Sequence, residues 1–358
     1  MAAPIPAEIP SPPLKTSEKE IGATPEITPG PVGLDIGTSH IVSAQNRGSH
    51  IQTVNQLNAF FTVPRSKFAA NLLKQKEIMH FDKDTLFYIV GYAADSFANM
   101  FNTVTKRPIK EGILSPSEKE GLAVVKAVVN TLIQKPKNFG EVLCFGVPGE
   151  PVGAPAVGSV VYHESVIKMF LTRMGYTPVS LNEGMAIVLA ELANDDYTGI
   201  GISMGGGMCN VCLSYLSFPV ITFSIQRAGD YIDQMVGISV AEPSTKIKGI
   251  KEAELDLSRA PQGAIHTALH IFYDDLINFL LNNLQRVLAA TDKLPKITKP
   301  IPIVISGGTA MPKGFQGKFA TALTQITLPI EISEVRLASD PLNTTAKGAL
   351  IMAMTEAA

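Results

Sequence analysis

The chain has 358 residues, which at roughly 100 to 200 residues per domain suits two lobes rather than one small module. Hydrophobic residues make up 46%, yet no stretch approaches the roughly 18 to 20 uninterrupted apolar residues of a membrane-spanning helix. Thirty basic against 32 acidic side chains leave a formal charge of -2 and no basic stripe, which removes nucleic acid as the expected partner, while a charged fraction of only 17% leaves little self-repulsion to oppose self-association.

Met1 to Gly30 repeats proline (Pro4, Pro6, Pro10, Pro12, Pro13, Pro25, Pro29) and has no charged start followed by an apolar core, so it reads as a disordered leader at 1–30 rather than a secretion signal. Proline also prevents the amphipathic helix that lies in a bilayer surface, so no direct membrane insertion is expected. Extended proline segments instead make the leader a candidate tether for a partner protein.

Order is expected from Pro31, where Val32-Gly-Leu-Asp-Ile-Gly-Thr-Ser-His-Ile-Val-Ser-Ala-Gln45 reads as two strands around a glycine turn. Apolar periodicity then predicts a helix from about Ser117 to Gln134, a buried strand Glu141 to Val147, and a helix from about His163 to Met174. A short strand Val179 to Leu181 leads to Glu183, which opens an apolar helix, Gly184 to Leu192. The strand-turn-strand design recurs at Thr198-Gly-Ile-Gly-Ile-Ser-Met-Gly-Gly-Gly-Met-Cys-Asn-Val-Cys-Leu-Ser-Tyr215. Cys209 and Cys212 lie within that copy, where three-residue spacing sends them to opposite faces of a strand as packed thiols. Three cysteines make no disulfide framework for this length, so a reducing, cytoplasmic setting is expected. A long helix from about Gly263 to Ala290 follows, on which His266, His270 and Asp274 share one face and read as a solvated polar stripe. A strand Ile301 to Ile305 then meets Ser306-Gly-Gly-Thr309, followed by a helix from about Lys313 to Leu323. Strands alternating with helices in two similar halves indicate an α/β protein with duplicated, mixed sheets.

A glycine turn carrying a hydroxyl presents backbone N–H groups in a concave row that can hold phosphate oxygens. One such turn is weak evidence, but two in equivalent positions of two halves could grip a polyphosphate from both sides. Ser306-Gly-Gly-Thr309 would let a flat base lie against bare backbone. Asp35, just before the first turn, either holds water on a phosphate-bound magnesium ion or caps its own turn. Glu183 is otherwise a helix-start acid gaining a few tenths of a kcal/mol from the dipole, about the least such a residue does.

Taken in order, these segments resemble the actin, Hsp70 and sugar kinase superfamily, and most closely its bacterial actin-like branch (MreB, MamK and relatives). Asp35-Ile-Gly-Thr38 looks like the first phosphate loop, with Ser39 beside it, and Arg107-Pro-Ile-Lys-Glu-Gly-Ile-Leu114 resembles the branch's R-P-[LM]-x-[DE]-G-[VI]-[IL] segment. Gly146-Val-Pro148 matches its V-P strand end, and Asn182-Glu-Gly-Met-Ala186 looks like the E-P-x-A-A helix, which puts Glu183 on the glutamate that orients the hydrolytic water. Gly205, Gly206 and Gly207 fall on the second phosphate loop, and Ala228-Gly-Asp-Tyr-Ile-Asp233, with Gly229 and Asp230, on G-G-D-x-x-D. Ser306-Gly-Gly-Thr-Ala-Met-Pro-Lys-Gly314 fits the adenosine loop through Gly307, Gly308, Thr309 and Met311, and Asp340-Pro-Leu-Asn-Thr-Thr-Ala-Lys-Gly348 the closing helix.

The resemblance implies a two-lobed, ribonuclease H-like ATPase fold. Lobe I would span 31–180, with a small subdomain at about 66–106 and a completing helix at 338–357; lobe II would span 181–337, with a lid at about 234–262. It implies ATP and magnesium between the lobes, with Asp35 acting on the metal through water, and assembly of the chain with copies of itself. Two departures qualify this. The family's D-x-G-G-G-T-T-[DE] is here Ser203-Met-Gly-Gly-Gly-Met-Cys-Asn210, which keeps the glycines and loses both acids, so slow or absent hydrolysis is expected. The lid region is only about thirty residues and looks vestigial. The alternatives are an Hsp70-like chaperone or reactivating factor, though the chain stops at Ala358 right after the closing helix, or a partner-binding scaffold that has lost turnover.

Overall fold

The computed structural model describes residues 30–101, 103–152, 159–292 and 294–358, so the proline-rich leader lies outside the described residues except for Gly30. The first half opens as an antiparallel meander, β1 (Val32–Ile36), β2 (His40–Arg47) and β3 (His50–Leu57). A small sheet follows, of β4 (Phe60–Pro64), β5 (His80–Lys83) and β6 (Leu86–Val90), carrying helices α1 (Lys67–Gln75) and α2 (Tyr92–Met100). Next come α3 (Gly121–Leu132), β7 (Val142–Val147), α4 (Val160–Met174), β8 (Thr177–Asn182) and α5 (Glu183–Glu191). The second half repeats the meander as β9 (Gly199–Met204), β10 (Cys209–Tyr215) and β11 (Phe218–Ile225). It continues through α6 (Gly229–Val240), α7 (Ser244–Glu254), α8 (Gly263–Ala289), β12 (Ile301–Ser306), α9 (Phe315–Leu323), β13 (Ile332–Leu337) and α10 (Thr344–Glu356).

The two large sheets have one design. Their orders are β3-β2-β1-β7-β8 and β11-β10-β9-β12-β13, each an antiparallel meander continued by two parallel strands. This is the duplication expected from the repeated strand-turn-strand. The inner strands are apolar along their whole length because both sheet faces are covered, and all six residues of β9 and of β12 are buried. Cys209 and Cys212 on β10 face different clusters, Cys209 with Ile202, Phe223 and Tyr273, and Cys212 with Met185, Ile187 and Val304.

α5 and α10 lie against each other between the sheets, α10 packing on β1 and β7 and α5 on β9 and β10. Their crossing depends on Gly348, where a Cβ would run into the carbonyl of Ala186. The predicted helices all form, with shifted ends. The one expected from Ser117 starts at Gly121, because Ser117 lies in turns before it, and α4 begins three residues ahead of His163, where the Ser159 hydroxyl accepts from the Tyr162 amide. Where a lid is expected, at about 234–262, the end of α6 is followed by one helix, α7, with no strand of a sheet between 241 and 262.

Candidate functional site

The carboxyl ends of β1, β9 and β12 meet at one cavity of about 530 Å³, the usual place for ligands in α/β sheets. The first glycine turn is held by Asn58, which is fully buried and donates through Nδ2 to Gly37 O at 2.8 Å and through its amide to Ser39 O at 2.9 Å. The second turn is held from the other side. The amides of Gly229 and Asp230, opening α6, donate to the carbonyls of Gly205 and Gly206 at 3.2 and 2.8 Å, and Thr309 Oγ1 donates to Gly205 O at 2.7 Å.

The two turns face each other. A Cβ on Gly206 would meet the Ser39 hydroxyl, and one on Gly207 would strike Thr38 Oγ1 and the Gly112 backbone nitrogen, so glycine at 207 is what lets the second hairpin close this far. Asp35, Gly37, Thr38, Ser39, Glu183, Gly205, Gly206, Gly229, Asp230, Gly307, Gly308, Thr309 and Met311 all line the cavity. Gly207 does not, and packs between Thr38 and Gly112 instead.

The 107–114 segment wedges between the turns. Gly112 N donates to Thr38 Oγ1 at 3.2 Å, Arg107 Nη1 reaches both oxygens of Asp230 at 2.6 Å, and Gln226 Nε2 donates to Glu111 at 3.2 Å. Met208, where the family pattern has threonine, is buried with Ile113 and Val160 and pins the second turn to this segment.

Glu183 is the first residue of α5, placed there by Asn182, whose Oδ1 accepts from Gly184 N at 3.0 Å and Met185 N at 3.2 Å. Its Oε2 accepts from Ser203 Oγ at 3.2 Å and from Asn210 Nδ2 at 2.9 Å. The register explains this, because Asn210 pairs with Ser203 and Ser203 with Ser306 across the strand ends. Burial pushes the Glu183 pKa up while those two hydrogen bonds pull it down, and burial followed by the Glu183 charge raises that of Asp35 well above its ordinary value. Glu183 is therefore more than a helix-start acid; it is a half-buried carboxylate at the cavity wall.

Four contributors were not singled out in the sequence. Asn210 carries a second bond, accepting from Gly149 N at 2.9 Å, and so links Glu183 to the chain after β7. Lys251 of α7 is buried, pairs with Asp233 at 2.7 Å and donates to Gly229 O at 3.1 Å. Its only sequence signal is one-turn spacing from Ile247 on a lysine-rich helix. His40, just after the first glycine turn, lines the cavity, and burial with Lys248 and Arg107 nearby lowers its pKa to about 4. Tyr273 of α8 also lines the cavity. His266, His270 and Asp274 lie apart from the cavity lining, and Asp274 pairs with Lys318 at 2.7 Å.

Twin sheets, a cleft between them and facing hairpins define the two-lobed actin-like fold. The same fold is present in a MamK double helical filament (TM-score 0.69, 17% identity, 90% of this chain and 98% of that one) and in MreB5 of Spiroplasma citri bound to AMPPNP (TM-score 0.65, 14% identity, 92% and 97%). The ethanolamine utilization protein EutJ from Carboxydothermus hydrogenoformans matches at a TM-score of 0.50 with 17% identity over 89% of both chains. No curated protein matches the chain by sequence. Residues 31–353 match the Volactin family, and the chain belongs to it.

Proposed function

We propose that this protein binds ATP with magnesium in the cavity and assembles with copies of itself, with slow or absent hydrolysis. The observation that carries the reading is the opposition of the two glycine hairpins, Thr38 and Ser39 against Gly206 and Gly207, at the mouth of one cavity. Lobe I would comprise residues 31–180 closed by 338–357, and lobe II residues 181–337. The phosphate tail would lie between the hairpins and the base near Gly307, Gly308 and Met311. That similar folds occur in a MamK filament and in an MreB5 bound to AMPPNP supports both halves of the proposal.

The lining suits a metal-bound triphosphate better than a bare one. It carries five carboxylates (Asp35, Glu183, Asp230, Asp233, Glu252) against three lysines (Lys248, Lys251, Lys313), an acidic surplus that opposes an uncompensated polyanion. A dication offsets it, and Asp35 would hold the ion through water, its pKa falling once the charge arrives. Glu183 would position the attacking water, since phosphoryl transfer rests chiefly on positioning and charge stabilisation. Ser203 supplies a neutral hydroxyl where a second acid would complete the metal's surroundings, and it is already engaged with Glu183. That favours binding over turnover.

Calorimetry with ATP in magnesium and in EDTA, with turnover measured on the same sample, tests the site. Binding with turnover far below about 1 s⁻¹ is expected, and absence of binding overturns the proposal. Glu183→Ala leaving a measurable turnover unchanged removes the role given to Glu183. Ultracentrifugal pelleting with ATP analogues tests assembly, and a chain that stays monomeric at every concentration and nucleotide state refutes that half.

A further inference from the structure

The chain leaves β7 through Pro148 and crosses to the other sheet. Gly149 N donates to Asn210 Oδ1 at 2.9 Å, and Ser224 makes three further bonds. Its hydroxyl donates to Gly149 O at 2.8 Å, its amide donates to Glu150 O at 2.9 Å, and its carbonyl accepts from Val152 N at 2.9 Å. Pro151 pairs with Ser224 as a parallel bridge, so residues 149–152 add a short strand to the second sheet beside β11, its edge strand. A proline is tolerated at 151 because the bonds fall on its two neighbours. Ser224 is fully buried and Asn210 nearly so, and Val152 packs on the cluster that holds Ile221, Phe223 and Ile225. The approach is so close that a Cβ on Gly149 would lie 2.7 Å from the Phe223 carbonyl carbon.

Covering an edge strand keeps other chains from pairing with it, and a segment of the same half would do that equally well. This segment comes from the other half. Among the described residues no such backbone bridge lies along β3, the matching edge of the first sheet. The crossing is also on the cleft side. Gly149 follows the carboxyl end of β7, and Asn210 and Ser224 are register partners next to Cys209, where β10 leaves the second glycine turn. The halves are joined between the sheets by α5 and α10. A rotation about that helix pair that parts the glycine hairpins also draws Asn210 and Ser224 away from Gly149, so all four bonds oppose it.

We propose that residues 149–152 are a strap that latches the two halves together, so that the cleft opens only when the strap peels from β11. The assignment is independent of what the cleft binds, and the ligand-free full chain tests it. Spin labels at Lys119→Cys and Gln234→Cys, one exposed position in each half, report the separation of the halves, and the three native cysteines are buried and stay unlabelled. The otherwise wild-type chain should give one narrow distance distribution. Gly149→Ala drives the strap off Phe223. It should widen that distribution and speed hydrogen exchange at the Val152 and Ser224 amides by roughly tenfold, the weight of about one hydrogen bond, with Ile303 and Val304 of β12 unchanged. Val152→Pro removes a strap donor without touching Gly149, should widen the distribution in the same way, and serves where Gly149→Ala does not fold. A released Ser224 amide with an unchanged distance distribution would mean an edge cover only and overturns the latch. The proposal is equally overturned by a parent chain as broad as the variants, by exchange in β12 accelerated as much as in the strap, or by Ser224 protection unchanged in both variants.

Discussion

Arg107 and Asp230 are 123 residues apart in the chain and meet across the cleft, one guanidinium nitrogen lying 2.6 Å from both carboxylate oxygens. Their side chains are 24% and 40% exposed, so the pair is worth at most about 1 kcal/mol. Arg107→Ala and Asp230→Asn should each cost about that much in urea unfolding. A double-mutant cycle should return a coupling of 0.5 to 1 kcal/mol, roughly, that shrinks at high salt. A cycle with no coupling would show that the tie is idle.

Asn210 satisfies two partners at once, the half-buried Glu183 and the buried Gly149 amide. Asn210→Ala strands both and should destabilise the protein by about 2 to 3 kcal/mol. Asn210→Asp keeps the acceptor for Gly149 but turns the donor toward Glu183 into a carboxylate, so it should also destabilise, most at neutral pH and less in acid. Urea titrations at two pH values separate these outcomes.

His163 of α4 is buried, with Nδ1 accepting from Leu114 N at 3.0 Å, and burial lowers its pKa to about 4. The unfolded chain, with an ordinary histidine near 6.5, binds the proton more readily between those values. Stability owed to His163 is therefore complete above about pH 6.5 and lost as pH falls toward 4, a swing of roughly 3 kcal/mol. His163→Asn retains an acceptor and cannot titrate, so the variant should lack that slope and the difference between wild-type and variant stability should isolate it. Asp35 and Glu183, whose pKa values are raised, contribute the opposite slope to both proteins and cancel in the subtraction.

Lys251 and Asp233 form an ion pair whose side chains are only 8% and 7% exposed. Lys251→Met leaves the Asp233 carboxylate buried beside carboxylate neighbours and should cost about 3 to 5 kcal/mol, while the double variant Lys251→Met with Asp233→Leu should recover most of that loss. Chemical denaturation checks it, and a double variant as unstable as the single one would contradict this account.

Much of this architecture was legible because its signals are local. The duplicated glycine turns announced the twin meanders, and apolar runs such as Ile301 to Ile305 announced buried strands. β3 escaped, since His50–Leu57 is polar and half exposed and is recruited as a strand by pairing with β2. The small sheet escaped for another reason, its strands being only four or five residues long and set by one another. Within the site, the glycines and Asp35 were visible from motif order. Asn210 registered only as a missing acid, because its partners Glu183 and Gly149 come together through strand register rather than sequence proximity. Tyr273 was indistinguishable from any other aromatic residue on the buried face of α8.

The helix formed by Thr344–Glu356 covers strands made some 300 residues earlier: Ala346 and Leu350 share one small cluster with Val42 and Ala44, and a Cβ on Gly33 would meet the Ala346 carbonyl. During synthesis, the opening meander must wait without its cover until residues 344–356 have been made and have left the ribosome. Its exposed apolar face is a liability for the nascent chain, and the rate of native-state formation should be governed by that late docking of α10.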